Sequence, residues 1–363
     1  MIRLVTLFCT MLLTLSLLAS CTSTTANPAF NQLQFIGSHN SYKQAIDPEL
    51  LEQLAESNSA LAASLDYTHL PLNQQLDLGL RKLELDVLDD PAGGLYQTPL
   101  GLRIIAAPSA YSSEPMLTPG FKVLHVQDID FRSHCQLFSE CLASLDAWSD
   151  THPEHFPIVV TINAKDDPIK RPGFVQPLLF NADSWNRLDQ VIKSTLGQKL
   201  YTPDDLRGSQ SSLYAAIKKG WPALNTLRGK FIFVLDHTGA KLETYIEGHK
   251  ALRNRAMFVN AMEDTPEAAI RIINDPVEQF DYIQTLVSQG YIVRTRADAD
   301  TVEARTGDTK RRSAAFRSGA QIISTDYYQE KNQFGSDYKV MFSEGIIARC
   351  NPVTSIIDCE FSN

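Results

Sequence analysis

The sequence predicts a single-domain α/β protein of the (β/α)8 TIM-barrel type. Short apolar runs with the composition of buried strands alternate with helical stretches along the chain, and most of these runs lack the polar alternation of a half-exposed strand. Polar residues follow the runs, where barrel enzymes carry their active sites. The 363 residues would also allow two domains, but one barrel with long loops takes up a chain of this length.

Eight apolar runs are predicted to form the barrel strands, and seven stretches between them have helical periodicity. The predicted strands are residues 34–37, 82–87, 122–125, 157–163, 230–236, 256–260, 291–296 and 321–324. The predicted helices are residues 49–65, 137–148, 185–196, 211–219, 266–273, 277–289 and 301–318. Residues 90–120, rich in Gly, Pro and Ser, are predicted to be a long loop that shapes access to the active face.

The first twenty residues have the pattern of a secretory signal peptide. Arg3 precedes an apolar stretch that is short for a transmembrane helix, and the stretch ends in Leu18-Ala19-Ser20-Cys21, which resembles a bacterial lipobox. This pattern predicts removal of residues 1–20, an acylated Cys21, a tether over residues 21–30 and the barrel over residues 31–363. We therefore expect an exported bacterial lipoprotein, anchored to a membrane in the periplasm or at the cell surface. The alternative is an ordinary signal peptide with an incidental cysteine.

Four cysteines remain once Cys9 and Cys21 are set aside, and an even number is typical of disulfides in an exported protein. Three pairings are possible, and the short loops favour Cys135 with Cys141 and Cys350 with Cys359. A zinc site is the alternative, although the spacing lacks the usual ligand pairs. The net charge of −9 argues against a nucleic-acid partner, and we expect a monomer.

Polar residues suited to catalysis lie in three of the predicted strands or directly after them. The first strand ends at His39 and Asn40, which deliver an imidazole and a carboxamide together. Glu84 and Asp86 lie two residues apart in the second strand, so both carboxylates point to one face. His125 ends the third apolar run. A buried carboxylate is costly without a cation or a metal, so these five side chains predict one polar site at the strand ends.

Several segments, in their order along the chain, resemble a known enzyme family. They are Gly37-Ser38-His39-Asn40-Ser41-Tyr42, Leu83-Glu84-Leu85-Asp86, His125 followed by Asp128 and Ser133, and Val293-Arg294-Thr295-Arg296-Ala297-Asp298. Together they resemble the small bacterial form of the calcium-dependent phosphoinositide-specific phospholipases C. The resemblance runs from about residue 34 to residue 328.

This resemblance implies calcium (Ca2+) as cofactor, with Asn40, Glu84 and Asp86 as ligands, and hard oxygen donors of this kind suit that ion. In the better-known eukaryotic relatives a glutamate ligand ends the fourth strand, whereas the matching residue here, and the expected fourth ligand, is the neutral Asn163. The metal site therefore has one negative charge fewer. Asp166 or Asp167 could supply the missing charge. An alternative stays open, in which the two carboxylates pair with basic residues, namely Arg81, Lys82 or Arg294.

The resemblance also implies the reaction. The inositol 2-hydroxyl would attack the phosphodiester of a phosphoinositide lipid in the membrane, giving diacylglycerol and a cyclic inositol phosphate. His39 and His125 would act as the acid and base pair, with their individual roles left open. The other histidines carry no such pattern, and we expect them at the surface or in loops.

Four late residues are candidates for substrate binding: Arg294, Arg296, Asp326 and Tyr328. The guanidinium groups suit phosphate, Asp326 suits an inositol hydroxyl, and Tyr328 suits stacking on the ring. The alternative for Arg296 is a salt bridge to Asp298, Asp300 or Asp326, and Asp326 is equally suited to a turn.

Two other functions compete with this interpretation. A glycerophosphodiester phosphodiesterase, or another metal-dependent phosphodiesterase, uses a similar barrel with Glu-x-Asp, but that family usually carries Arg where this chain has Asn40. A lipid-anchored, non-catalytic protein that binds inositol phosphates is the second, and the presence of both histidines argues against it. The metal-independent bacterial phospholipases C lack the paired carboxylates seen here.

Overall fold

Eight parallel strands form a nearly closed barrel in the computed structural model, which describes residues 27–356 and 358–362. The described residues contain eleven strands in all, of which β3, β10 and β11 lie outside the barrel. They are β1 (Leu33–Ser38), β2 (Lys82–Leu88), β3 (Lys122–Val123), β4 (Ile158–Ala164), β5 (Phe231–Leu235), β6 (Phe258–Val259), β7 (Ile270–Ile272), β8 (Ile292–Arg296), β9 (Ile322–Thr325), β10 (Ile346–Cys350) and β11 (Glu360–Ser362). The barrel order is β6-β5-β4-β2-β1-β9-β8-β7. A parallel bridge between Asn260 and Ile270 joins β6 to β7 and brings the two ends of the sheet together.

Helices surround the barrel and cover the apolar faces of its strands. They are α1 (Pro48–Ser57), α2 (Ser59–Leu65), α3 (Leu72–Asp77), α4 (Gly101–Ile104), α5 (Glu114–Leu117), α6 (Phe138–Thr151), α7 (Ala182–Leu196), α8 (Pro203–Arg207), α9 (Leu213–Lys219), α10 (Leu224–Leu227), α11 (Ala240–Ile246), α12 (Phe280–Ser288), α13 (Val302–Thr306) and α14 (Lys310–Arg317). Short 3-10 helices occupy Phe30–Gln32, Gly197–Lys199 and Lys250–Leu252. The predicted helix over residues 49–65 is two helices, because Asn58 leaves the helical conformation and its side chain caps α2.

One predicted strand and one predicted helix are wrong. The run over residues 122–125 forms only the short β3, which is antiparallel to β2 and is not a barrel strand. The eighth barrel strand is instead β7, which lies inside the helix predicted over residues 266–273. Its Ile-Arg-Ile sequence is rich in β-branched residues, which favour strands. A run of this length cannot be told from a buried helix segment by periodicity alone.

Gly37 allows β1 and β2 to approach each other closely. A Cβ atom at this position would lie 2.3 Å from both the Cβ atom and the carbonyl oxygen of Lys82, which is shorter than any ordinary contact. Gly37 and Lys82 are also register partners in the parallel pair β1–β2. The glycine therefore sets how far the start of β2 lies from the end of β1.

Both predicted disulfides are present. One joins Cys135 to Cys141, with 5.3 Å between the Cα atoms, in the segment that leads into α6. The other joins Cys350 to Cys359, with 5.0 Å between the Cα atoms, and links β10 to the segment before β11. The β10–β11 pair attaches to the barrel through antiparallel pairing of β10 with β1.

The described chain begins at the amino-terminal end of the barrel strands. Asn27 and Pro28 accept hydrogen bonds from the backbone nitrogens of Asn225 and Leu224, at 3.0 and 2.9 Å. The segment from there to β1 therefore lies at the pole opposite the end of β1. The predicted signal peptide and the predicted lipidation site Cys21 lie outside the described residues. Within the part of the chain that the structure describes, no helix combines the length and apolar character needed to cross a membrane.

Candidate active site

The carboxyl end of β1 delivers the first two predicted site residues. Asn40 has a φ angle of 44°, in the left-handed region, which asparagine tolerates better than most residues. Its side-chain nitrogen donates a 2.8 Å hydrogen bond to the hydroxyl of Tyr67. Because this bond uses the amide nitrogen, the amide oxygen of Asn40 remains for another partner.

His39 forms a pair with Asp326, which follows β9. Its Nδ1 atom lies 3.1 and 3.3 Å from the two carboxylate oxygens, and its Nε2 atom lies 3.7 Å from Oε1 of Glu84. Burial and then Arg296 lower the pKa of His39 to about 4, so the imidazole is neutral at pH 7. Although burial opposes ionisation, His39 and Arg296 hold the pKa of Asp326 well below its usual range.

His125 forms the second histidine–aspartate pair, with Asp130. The Nδ1 atom of His125 lies 2.7 Å from Oδ2 of Asp130, and the backbone nitrogen of His125 donates to the carbonyl oxygen of the same residue at 3.2 Å. Asp130 is buried and lies 3.3 Å from Nζ of the buried Lys43. Asp130 could not be identified from the sequence, because a carboxylate five residues after a histidine carries no recognisable spacing.

Glu84 is held by two buried cations. Its Oε2 atom lies 2.5 Å from Nζ of Lys82 and 2.8 Å from Nη2 of Arg294. Burial alone would raise the pKa of Glu84, but Lys82 and then Arg294 hold it well below the usual range. The pairing with basic residues that the sequence left open is therefore present for Lys82 and Arg294. Arg81 points elsewhere and donates to the carbonyl oxygens of Leu76 and Leu80.

Asp86 is paired much less completely than Glu84. Its two oxygens are buried and, among the described residues, the closest cation is Nζ of Lys165, 3.4 Å from Oδ2. Burial raises the pKa of Asp86. Asn163 is its register partner on β4 and is half-buried. Asp236, which follows β5, has a pKa raised to about 6 by burial, with Glu84 adding to the effect.

The chemistry of these donors suits the coordination shell of a calcium ion. The Asn40 amide oxygen, Oε1 of Glu84 and both oxygens of Asp86 are hard ligands of the type that calcium prefers, and those of Asp86 are the least satisfied. Within residues 27–356 and 358–362, no three His, Cys, Asp or Glu side chains are grouped as a metal site. The shell would therefore depend on the amide, on water and on substrate oxygens.

The predicted substrate-binding residues lie around the same strand ends, but their polar groups are largely engaged with other groups of the protein. Arg294 is 2% exposed and binds Asn274 as well as Glu84. Arg296 lies 3.6 Å from Asp326, as in the salt-bridge alternative. Tyr328 is buried and its hydroxyl accepts a 3.1 Å hydrogen bond from the backbone of Leu70. Their roles toward substrate stay predictions.

His69 had no signal in the sequence, and Asp298 was expected only as a salt-bridge partner of Arg296. His69 is buried, with Nε2 3.3 Å from Oδ1 of Asp326, and its ring stacks on Tyr328. Asp298 is buried, accepts a 2.9 Å hydrogen bond from the backbone of Asp326, and has a pKa raised to about 7 by burial and by Asp326. His69 and His155 lie in loops, as expected for the remaining histidines, but both are buried. Only three-dimensional packing brings these groups together.

Residues 29–352 match the family model of the phosphoinositide phospholipase C, Ca2+-dependent. Among solved structures, the calcium-dependent phosphoinositol-specific phospholipase C from the Gram-negative bacterium Pseudomonas sp. is 18% identical, with 87% of this chain and 96% of that chain covered and a TM-score of 0.52. The calcium-dependent phosphatidylinositol-specific phospholipase C from Streptomyces antibioticus is also 18% identical, with 82% and 94% covered and a TM-score of 0.50. These structures share the fold. No curated protein matches the chain by sequence.

Proposed function

Because this chain belongs to the family of calcium-dependent phosphoinositide phospholipases C, we propose that it cleaves phosphatidylinositol-type lipids to diacylglycerol and a cyclic inositol phosphate. The observation that carries this proposal is the arrangement of two histidine–aspartate pairs around one carboxylate pair. His39 lies 3.7 Å from Glu84. His125 lies near enough to Asp86 to lower the pKa of that carboxyl, against the larger effect of burial. Each histidine side chain is 17% exposed, which leaves it within reach of a substrate.

His39 is suited to the role of general base. Asp326 holds its Nδ1 atom, so the proton of the neutral ring belongs there and the lone pair of Nε2 points into the site. Nε2 would take the proton of the inositol 2-hydroxyl as that oxygen attacks phosphorus. The low pKa of His39 keeps the ring neutral before the reaction.

His125 is suited to the role of general acid. Asp130 holds Nδ1 of His125, so the protonated ring would give the proton on Nε2 to the glycerol oxygen as the bond from that oxygen to phosphorus breaks. The phosphorus–oxygen bond formed by the 2-hydroxyl closes the cyclic product. Hydrolysis of this product would run through the same two histidines with their roles exchanged.

Calcium bound by Asn40, Asp86 and Oε1 of Glu84 would neutralise charge on the phosphoryl oxygens. The chain supplies further positive charge at the same strand ends through Arg296, which lies beside the His39–Asp326 pair. This guanidinium group would either bind the phosphate directly or hold Asp326 in place to bind an inositol hydroxyl.

We further propose that the protein is an exported lipoprotein, attached to a membrane through an acylated Cys21. Leu18-Ala19-Ser20-Cys21 supports the lipidation. The two disulfides support an oxidising compartment.

The test is product analysis with purified protein that starts at Thr22, incubated with vesicles of phosphatidylinositol in calcium or in chelator. We expect diacylglycerol and a cyclic inositol phosphate, formed in calcium and greatly reduced in chelator. Release of glycerol phosphate from a deacylated substrate, with no diacylglycerol from the lipid, would instead identify a glycerophosphodiester phosphodiesterase. No turnover of either substrate would overturn both assignments.

A further inference from the structure

Lys82 places a positive charge next to the carboxylate pair from inside the barrel. It lies two residues before Glu84 on β2, so both side chains point to the same face. Its Nζ atom lies 2.5 Å from Oε2 of Glu84, 2.9 Å from the carbonyl oxygen of Ser38 and 3.2 Å from Oγ of Ser324. The side chain is fully buried, so solvent screens this charge very little.

Cations lie beside the carboxylates around the proposed metal position, more closely at Glu84 than at Asp86. Lys82 and Arg294 bind Glu84, and Lys165 lies beside Asp86. With Asp236 at the end of β5, three carboxylates face three cations at this part of the barrel. A buried carboxylate that has such partners costs far less than an isolated one.

We propose that Lys82 is a built-in counter-ion of the metal site, which stabilises the calcium-free protein and weakens calcium binding. The inference rests on the proposed use of calcium. Calcium affinity is set in part by the charge of the site, and a fixed cation that holds one oxygen of Glu84 lowers the charge the ion meets. The same cation removes the repulsion that two neighbouring carboxylates would otherwise create in the absence of metal.

Lys82→Met tests this proposal, because methionine keeps most of the volume and removes the charge. We expect calorimetric titration with calcium chloride to give binding at least about tenfold tighter than in the wild type, as expected when one nearby positive charge is lost. Without calcium the melting temperature of the variant should fall, and saturating calcium should restore much of the loss. Both measurements are independent of activity.

Lys199→Met is the matched control. Lys199 also contacts two carboxylates, Asp146 and Asp150, at 2.6 Å each, but it lies outside the barrel, after α7. The control changes the net charge of the protein by the same amount, and we expect its calcium affinity to equal that of the wild type.

Unchanged or weaker calcium binding in Lys82→Met, or lost stability that calcium does not restore, would overturn the proposal. If Lys82→Met does not fold, Lys82→Gln removes the same charge with a polar side chain, and the same criteria apply. A wild type without measurable calcium binding would count against the calcium part of the proposed function. In that case a gain of binding in the variant supports the role of Lys82, and its absence overturns it.

Discussion

Nδ1 of His125 lies 2.7 Å from Oδ2 of Asp130, and Asp130 in turn lies 3.3 Å from Nζ of Lys43. His39 has a corresponding partner in Asp326, at 3.1 Å. In both pairs the aspartate is buried and binds the Nδ1 atom, which leaves Nε2 as the reactive nitrogen. Each imidazole is therefore oriented through its Nδ1 atom by a carboxylate, and the two carboxylates come from different parts of the fold.

Asp130→Asn and Asp326→Asn should each lower kcat by at least about tenfold, because the amide does not fix the same tautomer of the imidazole. We expect KM to change little. In Asp326→Asn the limb of the pH profile of kcat that belongs to His39 should move to lower pH, because Asp326 raises the pKa of His39; a purely structural role would not cause this shift. A lower melting temperature with kcat and the pH profile unchanged would contradict the orienting role.

His39→Ala and His125→Ala should each reduce turnover by about two orders of magnitude or more, as expected for the loss of a general acid or base. Steady-state rates on phosphatidylinositol vesicles measure this, with thermal melting to check the fold. His249→Ala is a suitable control, because His249 is partly exposed and its Nδ1 atom pairs with a local backbone carbonyl. Near-normal turnover in either site variant would remove that histidine from the mechanism.

The two metal-site carboxylates should respond in opposite ways to neutralisation. Glu84→Gln leaves Lys82 and Arg294 buried with their shared carboxylate removed, which should cost about 3–5 kcal/mol of unfolding free energy. Asp86→Asn removes a buried charge whose nearest cation is 3.4 Å away, so the calcium-free protein should be as stable as the wild type or more so. Denaturant unfolding in chelator measures both.

Calcium should then distinguish Asp86→Asn from the wild type. We expect Asp86→Asn to lose most of the rise in melting temperature that calcium produces in the wild type. An equal loss of unfolding free energy in both variants would show that Glu84 and Asp86 play the same structural part.

Gly37→Ala should destabilise the protein by about 1–3 kcal/mol, as overpacking does in a well-packed interior. The added methyl group would meet the Cβ and carbonyl oxygen of Lys82 at 2.3 Å, so β1 and β2 must separate. We also expect lower activity, since His39 follows β1 directly. Urea unfolding and vesicle assays measure the two effects, and wild-type values in both would mean that the strands shift without consequence.

Cys21→Ala should release the protein from the membrane fraction without changing its specific activity, because the proposed anchor is separate from the barrel. Fractionation of cells followed by assay of both fractions tests this. A variant that remains with the membrane would point to an uncleaved apolar segment or to a protein receptor.

Much of the fold follows from the sequence because buried parallel strands are continuous apolar runs. Seven of the eight predicted runs are barrel strands, whereas β7, with only three residues, lacks enough length to distinguish it from a helix. The sequence predicts that Glu84 and Asp86 lie on one face of β2, because they are two residues apart. Lys82, two residues before Glu84, is predicted on that face for the same reason. Asp130 and His69 were not predictable, because their partners come from loops whose course depends on tertiary packing.

Asn27 lies at the amino-terminal end of the barrel strands, whereas His39 lies at the opposite, carboxyl-terminal end. Cys21 lies six residues earlier, and six residues can span at most about 20 Å. A domain of this size has a radius of gyration of about 20 Å, so its full width is about twice that length or more. Such a tether is therefore too short to reach from one end of the barrel to the other. With the anchor that we propose, the catalytic mouth would therefore face away from the bilayer that holds the protein. The enzyme would act in trans on a neighbouring membrane, and anchored protein should hydrolyse lipid in separate vesicles faster than lipid in its own. The opposite preference would mean that the anchor and the mouth share one surface.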